Sequence, residues 1–101
     1  MPDTLHKESF AGLLNQSFQV VHPDSTRLNL RLVGVTEHLH TARQESFSLF
    51  FHGPASPFMQ QGTYHLCNDK LGELDLFLVP IGRDGDGFQY EAVFNHLIPD
   101  I

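Results

Sequence analysis

Glu73-Leu74-Asp75-Leu76-Phe77-Leu78-Val79-Pro80-Ile81-Gly82 is the stretch on which the fold turns. Leu74, Leu76 and Leu78 fall on alternate residues, with the acids Glu73 and Asp75 between them. A period of two is that of a strand with one dry and one wet face. Phe77, Val79 and Ile81 then put apolar side chains on the face that the acids mark as wet. Pro80, which cannot donate to a ladder, and Gly82 predict the end of this fifth strand.

The same period recurs on both sides. Phe88, Tyr90, Ala92 and Phe94 alternate with Gln89, Glu91 and Asn95 in a sixth strand. Upstream, Phe18 and Val20 mark a first strand, and Leu28, Leu30 and Leu32 a second that runs on to about Glu37. Phe47, Leu49 and Phe51 mark a third, and Tyr64 and Leu66 a short fourth. His22-Pro23-Asp24-Ser25 reads as a turn, and Gly53-Pro54-Ala55-Ser56-Pro57 as a break. Before the strands, Asp3 and Thr4 are good helix N-caps. Leu5, Phe10, Leu13 and Leu14 then follow helical spacing, and Asn15 suits a left-handed helix end.

These readings predict one mainly β domain over residues 1–101, with a helix at 4–14 and six strands within 17–96. Short turns favour sequential antiparallel pairing, so the expected fold is a small six-stranded meander, barrel-like or strongly curled. A two-sheet sandwich is the alternative. A closed barrel does not account for Phe50, between Leu49 and Phe51, or for Phe77, Val79 and Ile81. The expectation is that the helix covers part of that surface and a partner the rest.

Composition narrows the function classes. The chain has 101 residues, nine Phe, no Trp and a net charge of −6. Its six basic residues are scattered, whereas a phosphate backbone needs a clustered positive surface, so nucleic acid is not an expected partner. The acidity also disfavours anionic lipid, and no apolar run approaches the roughly 20 residues of a membrane helix. A single cysteine, Cys67, makes no intrachain disulfide, and Met1-Pro2-Asp3-Thr4 has no signal-peptide character. The expected setting is the cytoplasm.

Seven histidines raise the question of a metal. His38 and His40 have i, i+2 spacing, and sequential pairing would bring Cys67 and His96 to the same end, a conceivable zinc set. No CxxC or HExxH spacing accompanies them, and surface histidines are the plainer reading, so no metal or cofactor is expected. Asp84-Gly85-Asp86-Gly87 departs from a calcium loop: Phe88, Gln89 and Asn95 stand where an EF-hand needs an oxygen ligand, Gly and Glu. A hairpin turn is the expectation there. No nucleophile elbow is present, and Glu73, Asp75 and Glu91 read as a solvated face. Phe58 and Met59 follow the two prolines of the break. They are expected either as an exposed contact patch or as a plug folded over the barrel end.

Several blocks resemble a family of short bacterial proteins of unknown function. They are Gln61-Gly62-Thr63-Tyr64, Leu71-Gly72-Glu73, Phe77-Leu78-Val79-Pro80-Ile81-Gly82 and Tyr90-Glu91-Ala92-Val93-Phe94-Asn95, with Phe10 through Leu13-Leu14-Asn15-Gln16 to Phe18. Asn15 stands where the family pattern has Gly. The resemblance implies a gene setting near phage-tail-like collar or fibre proteins and supplies no catalytic residues.

The function expected from these observations is non-catalytic protein interaction or assembly, with a protein partner or self-association. Phe50, Phe58, Met59, Phe77 and Val79 are the expected contact residues. A small-ligand-binding barrel is the alternative, and a metal-dependent enzyme using the histidines is the third reading.

Overall fold

The computed structural model describes residues 7–21, 27–42, 44–55 and 58–97. A five-residue helix, α1 (Lys7–Ala11), precedes six strands: β1 (Ser17–Val21), β2 (Arg27–His40), β3 (Gln44–Pro54), β4 (Gly62–Asn68), β5 (Gly72–Asp84) and β6 (Gly87–Leu97). All pairings are antiparallel. The strands close into a barrel in the order β1-β2-β3-β6-β5-β4. The sequential pairing expected of a meander is found at every connection but one. Between β3 and β4 the chain crosses over, so β3 pairs with β6 and β4 pairs back to β1.

Two long strands make closure possible. β2 pairs with β1 through Arg27–Arg31 and with β3 from Arg31 to His40. β5 pairs with β4 up to Leu78 and with β6 from Val79 to Asp84. Each changes neighbour beside a register shift, between Leu32 and Gly34 in β2 and between Pro80 and Gly82 in β5. A bulge bends its strand and increases the local twist, which lets one strand serve two parts of a ring. Pro80 therefore does not end β5, as its sequence predicts; it sits where the strand changes neighbour, a place that tolerates a missing N–H. Past the bulge the strand continues to a two-residue turn at Gly85-Asp86, where Gly85 has φ +62°. The Asp-Gly segment is thus a hairpin turn, as expected.

Inward-facing residues fill the barrel. Phe18, Leu30, Leu32, Leu49, Phe51 and Leu78 are fully buried. Phe18 meets Phe51 edge-on at 5.3 Å between centroids. Where β3 meets β6 space is tight: a Cβ on Gly53 would lie 2.6 Å from the Leu30 side chain at Cδ2, and one on Gly87 would overlap the Gly53 carbonyl.

The helix does not cover the outer face of β5, contrary to expectation. Phe10 is fully buried against Phe94 and Phe47, at 5.3 and 6.0 Å, and those two rings stack at 4.8 Å. Phe47 and Phe94 face inward, so α1 closes the inner side of β3 and β6. Asn15 takes the left-handed conformation (φ 69°) that the sequence predicts, and its N–H donates to the Leu32 carbonyl. The expected helix positions 4–6 and the turn at 22–25 lie outside the described residues. None of the described helices is long and apolar enough to cross a membrane.

Candidate interaction surface

The outer faces of β3, β6 and β5 carry the least expected chemistry. Cross-strand register puts Phe50, Glu91 and Val79 in one row, with Ser48 and Val93 in the next. Phe77 precedes Val79 by two residues on β5, and Ile81 stands at the bulge between Pro80 and Gly82. In this area Val93 is 61% exposed, Phe77 51% and Ile81 46%, although each is large and apolar. Val79 is half-buried, and so is Phe50, which lies over Gly34. Val93 is a residue that sequence reasoning missed. The signal was present: Ala92-Val93-Phe94 is three apolar residues in a row, which a strict alternation does not allow.

A polar chain runs through this apolar ground. The Ser48 hydroxyl is fully buried and donates to Glu91 Oε2 at 2.7 Å. His38 Nε2 lies 2.7 Å from the Ser48 Oγ. Since the hydroxyl proton is committed to the carboxylate, His38 Nε2 must carry a proton and donate. The serine stands between an acid and a histidine, whereas nucleophilic catalysis needs the histidine between serine and acid. The chain therefore satisfies a buried hydroxyl and orients Glu91 within the apolar surface.

The segment after the break resolves into both of its expected roles. Met59 is fully buried, and its backbone N–H donates to the Tyr90 hydroxyl at 3.0 Å. It is the plug, and as a surface contact residue it is corrected. Phe58 remains 41% exposed and packs edge-on against Phe88 at 4.8 Å. It lies by the end of the barrel where β3 meets Gly87, over rings that belong to or pack against the core.

The expected metal set is not assembled. Cys67 is exposed on β4 between Gln19 of β1 and Glu73 of β5, whereas His38 lies on the half of β2 that pairs with β3. A register shift between Glu37 and Leu39 also places a bulge at His38, which breaks the i, i+2 relation to His40. Among the described residues, no three His, Cys, Asp or Glu side chains are grouped to hold a metal ion. The side chains of His40 and His96 lie outside the described residues.

On the outer face of β4 and β5, His65 is held between two acids, with Nδ1 2.8 Å from Asp75 and Nε2 3.1 Å from Glu73. Both ring nitrogens are donors only in the imidazolium, and the hydrogen bond to Asp75 is the largest cause holding its pKa above the usual histidine value. All three side chains are largely exposed, so the cluster is a solvated ion group. A shallow surface groove of about 540 Å³ lies nearby, lined by Val21 and residues 60–65.

No curated protein matches the chain, and neither does any solved structure. One family model, described as a domain of unknown function (DUF6916), matches residues 5–94, nearly the whole barrel and its helix. The chain belongs to that family, the Domain of unknown function DUF6916.

Proposed function

We propose that this protein is a non-catalytic assembly component that binds another protein through the outer face of β5, β6 and β3. One observation carries the reading: Phe77 and Val93 are exposed on β5 and β6, beside the cross-strand row of Val79, Glu91 and Phe50, with exposed Ile81 at the neighbouring bulge. Contiguous apolar surface of this kind is covered in working assemblies. Glu91 lies within it, held by Ser48, and suits a partner that brings a basic side chain into an apolar contact. A net charge of −6 disfavours a second copy as that partner, because two like-charged chains repel. The resemblance to proteins encoded near phage-tail-like collar or fibre genes supports a particle-assembly setting. The interior is filled by Phe18, Phe51, Leu49, Met59 and their neighbours, which argues against a ligand-binding barrel.

The test compares the wild type with Phe77→Asp, and with Val21→Asp as a control on β1, outside this surface. Light scattering over a concentration series should find all three monomeric. Chemical cross-linking in the host cell, with mass spectrometry, should join residues of β5 and β6 to one protein at fixed stoichiometry. That link should disappear in Phe77→Asp and persist in Val21→Asp. A wild-type dimer broken by Phe77→Asp would replace the foreign partner with self-association. A link that survives Phe77→Asp would refute the surface.

A further inference from the structure

We propose that the partner of the outer surface contributes an extended, basic segment that adds as a strand along β6, in the gap between residues 92–97 of β6 and residues 72–78 of β5. The inference rests on the reading of that surface and names how the partner is held. β5 and β6 pair only from Val79↔Glu91 to the turn. Before Val79, β5 pairs with β4 on its other side, while β6 runs on to Leu97 with β3 on its other side. The two strands therefore part at Val79 and Glu91. Among the described residues, no strand pairs with either of them across the gap.

Pro80 fixes which backbone groups of β6 face the gap. In an antiparallel ladder, pairs that exchange two hydrogen bonds alternate with pairs that exchange none. Pro80 has no N–H, so Pro80↔Tyr90 is a non-bonded pair and its neighbour Val79↔Glu91 a bonded one. Glu91 thus turns its N–H and carbonyl towards β5, and so do Val93 and Asn95, two and four residues on. Ala92 and Phe94 turn theirs towards β3. The N–H groups of Val93 and Asn95 point into the gap, where no described strand receives them.

Open edges are ordinarily blunted by charge, proline or a bulge. β2, which beyond Leu32 has only β3 as a strand partner, carries Glu37 and two register shifts there. Residues 92–97 of β6 contain no Asp, Glu, Lys, Arg or Pro, and the β3–β6 ladder runs its whole length without a shift. The side chains beside the gap select what enters. Val93 on β6 and Phe77 on β5 are both exposed, and a strand with apolar residues at alternate positions covers them. Glu91, Asp75 and Glu73 stand on the same outer face, with His65 between the last two. Neither residues 72–78 nor residues 92–97 contain Lys or Arg. Charge complementarity therefore favours Lys or Arg on the incoming strand, and the acidity that repels a second copy attracts such a segment. Main-chain hydrogen bonds supply the affinity and the alternate side chains the specificity.

Hydrogen exchange on the full chain, resolved by NMR, tests the gap directly. The Val93 and Asn95 N–H groups should exchange at least about tenfold faster than those of Ala92 and Phe94, which β3 protects. Equal protection of all four means that the edge is already filled and overturns the proposal. Protection that grows with the concentration of this protein alone makes a second copy the added strand and overturns the foreign segment. Exchange by mass spectrometry on the cross-linked complex from the host cell should then slow by at least about tenfold over residues 92–97. Val93→Pro removes the N–H and keeps an apolar ring, so it should abolish the link to the partner, whereas Val93→Ala keeps the N–H and should retain the link. Circular dichroism establishes that both variants fold; if Val93→Pro does not, the two exchange measurements decide. A partner that stays on folded Val93→Pro but leaves Phe77→Asp overturns the added strand and keeps the surface. A partner retained by both variants overturns the surface as well.

Discussion

Deleting one oxygen atom tests how the crossover segment is held. Tyr90→Phe removes the hydroxyl that accepts the Met59 N–H at 3.0 Å, with both residues buried. The N–H then loses its partner where Met59 is fully buried, and an unsatisfied buried donor costs about 1–3 kcal/mol. Tyr64→Phe removes the same atom in a different setting. The Tyr64 hydroxyl donates to the Gln60 carbonyl at 2.7 Å, but Gln60 is exposed and water can replace the donor. Its expected cost is about 0.5–1 kcal/mol. For a domain of this size each kcal/mol lowers Tm by roughly 4–8 °C. Thermal unfolding by circular dichroism should therefore show Tyr90→Phe lower than Tyr64→Phe by several degrees. A Tyr64→Phe variant as destabilised as Tyr90→Phe would refute the plug. The pH dependence supplies a second arm. Burial, the largest cause, pushes the Tyr90 hydroxyl above its ordinary value of 10.0. Above about pH 10 the unfolded chain gives up that proton first and binds fewer protons than the native state, so stability falls as pH rises. Tyr90→Phe should lose that part of the alkaline decline.

Three further outcomes follow from the same geometry. His65 should titrate above 6.5 by NMR, with its midpoint falling towards 6.5 in Asp75→Asn; because its folded pKa is raised, whatever stability it lends is present below about pH 6.5 and fades as pH rises through the folded value. Phe10→Ala should cost about 3–5 kcal/mol in urea unfolding, since the ring is fully buried against Phe47 and Phe94; a loss below about 1 kcal/mol would mean that the helix is not docked there. Gly87→Ala, whose Cβ would overlap the Gly53 carbonyl, should cost about 1–3 kcal/mol or more, while Gly12→Ala, with open space around its Cβ, should be tolerated.

The apolar outer face was half legible: Phe77, Val79 and Ile81 break alternation within one strand, and Val93 does so within another. That they share a surface depends on β5 pairing with β6 beyond Val79. The pairing of β3 with β6 was not legible, because its partners are distant in the chain: Glu45 and His96, for example, are 51 residues apart.

Local periodicity determined the strands, the inward set Leu74, Leu76 and Leu78, and the left-handed end at Asn15, since each depends on neighbours a few residues apart. Tertiary structure decided the rest. Whether Pro80 ended β5 or bent it depended on a second neighbour for the strand to reach. Whether Met59 was a contact or a plug depended on the Tyr90 hydroxyl that receives it. Which strand β3 would join depended on closing the ring, which satisfies backbone groups that an open meander leaves at its edges. Those are contacts between distant segments, and a pattern read along the chain carries no distance between them.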